Sequence, residues 1–228
     1  MNYSQIIQKL KSLKNKSNIA GMARFGISGP NILGISIPTL RKMADLIGKD
    51  HQLALKLWDS KIHEARILAS LVDRSDQVNS AQMEKWVKGF DSWDICDQVC
   101  GNLFDRTKLA VRKAFQWSRR KREFEKRAGI VLMAVMAVHD KKSEDSLFLS
   151  FLPVLRREAG DERNFVKKAV NWALRKIGKR NRRLNRAAIQ EAKGVQKLNH
   201  PSARWIAADA LRELSNLKTN IRSLPSRV

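Results

Sequence analysis

The sequence has 228 residues, of which 45 are Lys or Arg and 22 are Asp or Glu, so its formal net charge is +23. Hydrophobic residues make up 43% of the chain, which excludes wholesale disorder, and the length suits one large domain or two small ones. The charge surplus indicates a polyanionic partner, with nucleic acid as the first candidate and an anionic membrane as the second.

Composition also bears on the cellular compartment. The longest apolar run, 129–138, is far shorter than the roughly 20 residues that span a bilayer. The lysine-rich N-terminus lacks the apolar core of a secretory signal. Two cysteines exclude a disulfide scaffold and favour a reducing compartment. We therefore expect a cytoplasmic protein, nucleoid-associated if it is bacterial, with no membrane partner.

Apolar residues recur at helical period along almost the whole chain, and the alternation typical of strands is nearly absent. Pro38 and Pro201 stand where a helix would begin. The sequence therefore predicts an all-α protein, with helices over residues 4–15, 18–25, 38–48, 50–59, 62–74, 79–89, 92–104, 107–119, 123–139, 143–158, 163–178, 181–195 and 200–217.

The predicted helices form pairs whose second members resemble each other. Small residues recur there three or four positions apart among larger apolar ones, in the segments 64–69, 127–131, 168–173 and 203–208. Helix pairs that recur at roughly 30–45 residues are typical of HEAT or armadillo repeats. We favour a curved solenoid with a basic concave groove over an irregular helical bundle. It would be a monomer with one repeat domain over residues 1–217 and a polar tail over 218–228.

Basic residues are dense in two segments, 119–127 and 167–186. In the second segment, Lys168, Arg175 and Arg182 are seven positions apart, so a continuous helix would place them on one face. A run of charge usually forms a solvated surface. Few acidic residues are interleaved here, however, so we interpret the segment as a surface that binds the phosphates of a duplex.

Several common catalytic and metal sites are missing from the sequence. Cys96 and Cys100 are four positions apart, but the histidines are scattered and no second ligand pair has metal spacing. Buried core cysteines are the better interpretation. The glycine-rich segment 26–34 lacks the Gly-Lys-Ser/Thr ending of a phosphate loop, so we interpret it as a structured connection. We expect no metal and no cofactor.

The segment 90–100 is the most unusual part of the chain. Ser92 is predicted to be a helix N-cap, and Asp94 in the first turn suits the positive end of the helix dipole. Asp97 follows Trp93 by four positions, so its carboxylate and the indole share a helix face. A salt bridge between helices would also explain Asp97, and the residue pattern taken by itself favours that explanation.

With this segment, the chain resembles the DNA alkylation repair family, whose AlkD-type glycosylases are built from HEAT-like repeats. The resemblance covers most of the chain and depends on four segments in the family's order: 34–42 (GISIPTLRK), 92–97 (SWDICD), 126–130 (KRAGI) and 167–175 (KKAVNWALR). It departs from the family pattern in a lengthened 26–34 loop and in the two cysteines, Cys96 and Cys100, around Asp97. The resemblance implies excision of positively charged N3- and N7-alkylated purines from duplex DNA, as in base excision repair, without metal or cofactor.

The resemblance also implies roles for individual residues. Asp97 matches the catalytic aspartate, and Trp93 matches the aromatic residue beside the sugar of the damaged nucleotide. Arg127 matches an arginine that holds the backbone near the lesion. Trp172 matches the second aromatic wall of the cleft, and Arg175 a phosphate contact. The further candidates for DNA contacts in the basic segment are Lys168, Lys179 and Arg182.

The implied reaction suits the residues available. Hydrolysis of ordinary glycosides uses two carboxylates because a neutral leaving group must be protonated. A cationic alkylpurine leaves without a general acid, so Asp97 alone can stabilise the oxocarbenium-like sugar and orient the water. The indole face of Trp93 also favours a cation. Because no lysine nucleophile is needed, we expect a monofunctional glycosylase.

Two other interpretations stay open. The first is a DNA-structure-binding protein on the same scaffold that does not excise bases and for which Asp97 is dispensable. The second is a helical-repeat protein that binds RNA or an acidic protein, which would leave the pairing of Trp93 with Asp97 unexplained. A role at a membrane surface fits less well, because the basic residues are spread over several helices.

Overall fold

Residues 1–216, the part that a computed structural model describes, form thirteen α-helices and one short 3-10 turn joined by loops. Each helix predicted from the sequence has a counterpart, so the all-α prediction is confirmed. Within residues 1–216, no helix is both long and apolar enough to cross a membrane. The helices are α1 (Tyr3–Ser12), α2 (Lys16–Ala23), α3 (Ile37–Ile47), α4 (His51–Asp59), α5 (His63–Val72), α6 (Ser80–Lys88), α7 (Trp93–Asn102), α8 (Ala110–Trp117), α9 (Glu123–His139), α10 (Asp145–Glu158), α11 (Asn164–Gly178), α12 (Arg182–Gln196) and α13 (Pro201–Asn216).

Helix starts follow the capping signals in the sequence. Asparagine or aspartate side chains at Asn15, Asp50 and Asn181 accept a hydrogen bond from the backbone of the first turn that follows. Pro38 lies in the first turn of α3, and Pro201 is the first residue of α13, as predicted. A missing N–H is harmless there because the first N–H groups of a helix have no partner within it.

The predicted boundaries differ most from the structure, by three residues, at the end of α1 and at the start of α8. The predicted helix begins at residue 107, but the structure has a short 3-10 turn over Phe104–Arg106, and α8 begins at Ala110. The buried Thr107 hydroxyl donates to the Phe104 carbonyl at 2.8 Å. Such side-chain bonds to the local backbone compete with helix formation.

The helices form two compact units, one covering Met1–Leu109 and the other beginning at Ala110. The single repeat domain over residues 1–217 and the concave groove stay predictions. The predicted tail, 218–228, lies outside the described residues.

In the first unit, α5 is the central helix. It packs against α3, α4 and α7, and nearly all of its residues are buried. Beside it, the indoles of Trp58 and Trp86 stack with ring centroids 4.3 Å apart. α5 also buries polar residues, with His63 and Glu64 at its N-terminal end followed by Arg66 and Ser70.

In the second unit, α9, α11 and α13 pack side by side, and α8 and α12 pack against this row. The chain packs closely at Gly129 on α9, where an added Cβ would lie 2.2 Å from the backbone nitrogen of Ser118. The prediction that small residues permit close packing of neighbouring helices is confirmed at this position.

Candidate active site

The first turn of α7 is held by its neighbours rather than by its predicted cap. Ser92 occupies the N-cap position, as predicted, but its side chain makes no capping hydrogen bond to the backbone of the turn. Asp94 instead accepts a hydrogen bond from Nε2 of His63, at 2.7 Å. Burial raises the pKa of Asp94, but the hydrogen bonds and charge around it, chiefly those of His63, together outweigh burial, so the pKa is below its usual value.

This pair makes a pH-dependent contribution to stability. Because the pKa of Asp94 is lowered in the folded state, the contribution is present above the unfolded pKa, near 4, and is lost as the pH falls through the folded value. We expect Asp94→Asn to lower the free energy of unfolding at pH 7 by about 1–3 kcal/mol. Urea unfolding at pH 7 and pH 3 measures this, and the deficit should shrink at pH 3. Asp59→Asn, at an exposed pair with Lys85, is the control.

Trp93 and Asp97 both lie on α7, one helical turn apart, and both are half-buried. The indole Nε1 of Trp93 donates to the backbone carbonyl of Phe25, at 2.9 Å. Ile95 and Val99 on the same helix are fully buried. One side of α7 is therefore fixed in the core, while Trp93 and Asp97 keep part of their surface in contact with solvent.

The two cysteines of α7 are core residues, as predicted. Cys96 and Cys100 are fully buried. Burial raises the pKa of the Cys100 thiol well above its usual range, and the nearby Cys96 and Asp97 raise it further. This thiol therefore stays protonated and is a poor nucleophile. In the described part of the chain, no group of three or more His, Cys, Asp and Glu is placed to hold a metal ion.

The connection between α2 and α3 is ordered by a carboxylate that the sequence interpretation missed. Glu64, buried in the first turn of α5, accepts hydrogen bonds from the backbone N–H groups of Leu33, Gly34 and Ile35, at 2.9, 2.6 and 3.3 Å. The structured connection predicted for residues 26–34 is confirmed. A signal was present in the sequence, since Glu64 is the one acidic residue of an otherwise largely apolar helix.

Arg127 lies in the second unit and is buried on α9. Its guanidinium donates to the backbone carbonyl of Phe165, in the first turn of α11. Trp172, further along α11, is half-buried. Its neighbour Asn171 donates to the Asp209 carboxylate of α13, at 2.7 Å. Arg127 therefore joins α9 to α11, and Asn171 joins α11 to α13.

Arg175 and Lys179 are brought together by one carboxylate of α13. Nη1 of Arg175 donates to Glu213 at 2.5 Å, and Lys179 also contacts Glu213. Burial lowers the pKa of Lys179, and the neighbouring Lys176 and Arg175 lower it further in spite of this contact. Arg175 and Lys179 would have to exchange a carboxylate for a phosphate in order to bind DNA.

The other two predicted phosphate contacts, Lys168 and Arg182, are exposed. Lys168 precedes Trp172 by one helical turn on α11. However, α11 ends at Gly178 and a new helix begins at Arg182. Lys168, Arg175 and Arg182 therefore do not share one face of a continuous helix, because the helix ends between the second and third of them, as the predicted helices 163–178 and 181–195 require.

Part of the first basic segment has internal partners. Glu158 accepts from Lys126 and from Arg157, and Glu125 accepts from Arg120 at 3.0 Å. These pairs join α9 to the end of α10 and to the turn before α9. The segment 119–127 therefore contributes less free positive charge than the sequence predicts.

The predicted site residues are thus divided between the units, with Trp93 and Asp97 in the first and the others in the second. A model of DNA alkylation repair enzymes matches residues 6–214. The chain belongs to the DNA alkylation repair enzyme family. The resemblance found in the sequence is therefore confirmed.

A comparison with solved structures supports the architecture expected of a DNA alkylation repair enzyme. One match has a TM-score of 0.76 at 17% sequence identity and covers 93% of this chain and 95% of the other. That protein represents a new family related to the HEAT-like repeat DNA glycosylases, with affinity for branched DNA structures. At this identity the likeness establishes the fold, so the HEAT-like repeat prediction is confirmed. A comparison with curated proteins found no match.

Proposed function

We propose that this member of the DNA alkylation repair enzyme family is a monofunctional DNA glycosylase. Its substrates would be positively charged N3- and N7-alkylated purines in duplex DNA. The observation that carries the proposal is the placement of Trp93 and Asp97, half-buried and one turn apart on a helix whose opposite side is fixed in the core. We expect a monomer that acts in the cytoplasm without a cofactor.

The reaction breaks the bond between the sugar C1′ and the purine nitrogen. The electron pair of that bond leaves with the alkylated base, which departs as a neutral molecule and needs no general acid. The sugar becomes oxocarbenium-like, and the Asp97 carboxylate stabilises this cation and orients the water that adds to C1′. The indole of Trp93 offers its negative face to the same cation. The proton released by the water passes to Asp97 or to solvent.

Binding to duplex DNA would be largely electrostatic. Lys168 and Arg182 are exposed and available to phosphates, and Arg175 and Lys179 would join them by releasing Glu213. Each phosphate contact releases counterions, so the affinity should fall steeply with salt. The contacts of Arg127 and Trp172 with DNA are carried over from the family resemblance and remain predictions.

Binding of DNA structures without excision is the second candidate. It is favoured by one observation, namely that a protein of the same fold comes from a family with affinity for branched DNA structures. On this interpretation the cationic surface would be used and Asp97 would be dispensable.

Product analysis separates the two functions. Duplexes carrying N7-methylguanine or N3-methyladenine are incubated with the protein, and free base and strand breaks are measured separately. A monofunctional glycosylase yields free base and an abasic strand that breaks only after alkali. In parallel, binding to a four-way junction and to a matched duplex is measured. Tight junction binding with no free base from either lesion would favour the second candidate.

A further inference from the structure

Glu64 is a buried carboxylate that the proposed reaction does not use. It is 1% exposed, and its oxygens accept hydrogen bonds from three consecutive backbone N–H groups, those of residues 33–35. A buried charge is unfavourable unless hydrogen bonds compensate for it. Residues 33–35 therefore hold the carboxylate in place and are themselves held by it.

The loop between α2 and α3, residues 24–36, contacts both α5 and the candidate catalytic helix α7. At one point the Asn31 carbonyl accepts from the backbone N–H of His63, at 2.9 Å. At its other end the Phe25 carbonyl accepts from the indole Nε1 of Trp93, also at 2.9 Å. The loop thus connects the N-terminal end of α5 to the one indole of α7.

The same end of α5 also contacts α7 directly. The His63 side chain binds Asp94, the residue that follows Trp93. Two consecutive residues of α5, His63 and Glu64, are therefore linked to Trp93 by two routes, His63 through the first turn of α7 and Glu64 through the loop. All of these contacts lie within the first unit.

We propose that Glu64 is a positioning residue for Trp93: its carboxylate fixes residues 33–35, two of whose carbonyls accept hydrogen bonds from Asn15 and Asn18 at the start of α2. It thereby fixes α2 and the loop that follows it, whose Phe25 carbonyl orients the indole beside Asp97. This role rests on the glycosylase function proposed above. Glu64 does not touch the substrate and acts only through the loop. Catalysis is sensitive to small displacements of catalytic groups, so a loosened loop should slow the reaction more than it weakens DNA binding.

Glu64→Gln is the test, because it keeps the shape of the side chain but turns an N–H towards an N–H of the loop. With saturating protein and a duplex containing N7-methylguanine, we expect the rate of base release to fall by about 10- to 100-fold. The dissociation constant for the same duplex should change by less than about threefold, since no DNA-contacting charge is altered. A structural defect elsewhere would not produce this separation.

A spectroscopic measurement reports on Trp93 without requiring activity. The protein labelled with 5-fluorotryptophan should give six ¹⁹F resonances, one for each tryptophan. Trp93→Phe assigns the resonance of Trp93. Glu64→Gln should shift or broaden that resonance and leave the resonance of Trp205, in the second unit, unchanged. Asn18→Ala, which removes a 2.9 Å bond to the Gly34 carbonyl, should move the Trp93 resonance in a milder way.

Glu125→Gln is the matched control, because Glu125 is also buried and hydrogen-bonded, but lies in the second unit. It should leave the Trp93 resonance and the base-release rate unchanged. If the Glu64→Gln protein folds and either its Trp93 resonance or its base-release rate equals that of the wild type, the positioning role is overturned. If Glu64→Gln does not fold, the same two measurements on Asn18→Ala decide the question. If the wild type releases no base, the glycosylase proposal fails, and the resonance alone decides whether Glu64 positions Trp93.

Discussion

Asp97→Asn is expected to lower the single-turnover rate of N7-methylguanine release by about 10²–10³, the usual cost of removing one well-placed electrostatic group. The substitution keeps the size of the side chain and removes only its negative charge. The oxocarbenium-like sugar then loses its stabilising carboxylate, and the water loses the group that orients it. Binding of the damaged duplex should be unchanged or slightly tighter, because the variant carries one negative charge less.

Asp91→Asn is the matched control for this prediction. Asp91 lies just before α7, and its exposed carboxylate pairs with Arg66 at 2.7 Å, so the substitution removes the same charge close to the site. Its base-release rate should stay within a few-fold of the wild type. An Asp97→Asn variant that releases base as fast as Asp91→Asn would show that Asp97 has a structural role, such as a salt bridge between helices.

Gly129→Ala is expected to destabilise the second unit strongly. An added Cβ would lie 2.2 Å from the Ser118 nitrogen and 2.8 Å from the Ala114 carbonyl oxygen, both of which are backbone atoms of the preceding segment. Backbone cannot rotate away, so α8 and α9 would have to separate. Overpacking of this kind costs about 1–3 kcal/mol or more, which exceeds the roughly 1 kcal/mol that alanine gains over glycine in a helix. Urea unfolding monitored by circular dichroism measures the change.

Gly21→Ala is the control, and we expect it to change the free energy of unfolding in the opposite direction. Gly21 also lies within a helix, α2, but an added Cβ there meets nothing within 4 Å. Helix propensity then acts alone, and the variant should be more stable than the wild type by up to about 1 kcal/mol. If both alanine variants were stabilised, the close packing of α8 against α9 would be refuted.

Local signals account for the success of the fold prediction. Helical periodicity and capping residues act within a few positions along the chain, and they predict each α-helix of residues 1–216, including α9 over residues 123–139. The start of α8 was placed wrongly because the Thr107 hydroxyl bonds back to Phe104. The hydrophobic pattern does not show that the Thr107 side chain bonds to the local backbone in place of continuing the helix.

The contacts around the candidate site could not be predicted in the same way, because they join residues distant in sequence. Glu64 meets the loop residue Leu33 across 31 positions, and His63 meets Asp94 across the same separation. The sequence explains the position of Asp94 by the helix dipole alone, whereas in the structure its partner is His63 on α5. The family motif identifies Trp93 and Asp97, but the residues that hold them in place are distant in the sequence and leave no local pattern.

The ion pairs of the basic surface also join residues distant in sequence, so the sequence pattern does not predict them. Arg175 lies 38 positions before Glu213, and a count of charges in the local sequence cannot reveal that they pair. The predicted phosphate surface was therefore too uniform. Lys168 and Arg182 are exposed, whereas Arg175 and Lys179 are engaged by α13.

The most direct test of the glycosylase function is the release of free 7-methylguanine by the wild-type protein, measured by mass spectrometry under single-turnover conditions on a methylated duplex. We expect the free base to appear with an intact, alkali-sensitive strand, and the same duplex with Asp97→Asn to release little while remaining bound. Binding at low salt without free base from either N7- or N3-alkylated DNA would contradict the account, and the protein would then be a DNA-binding member of its family.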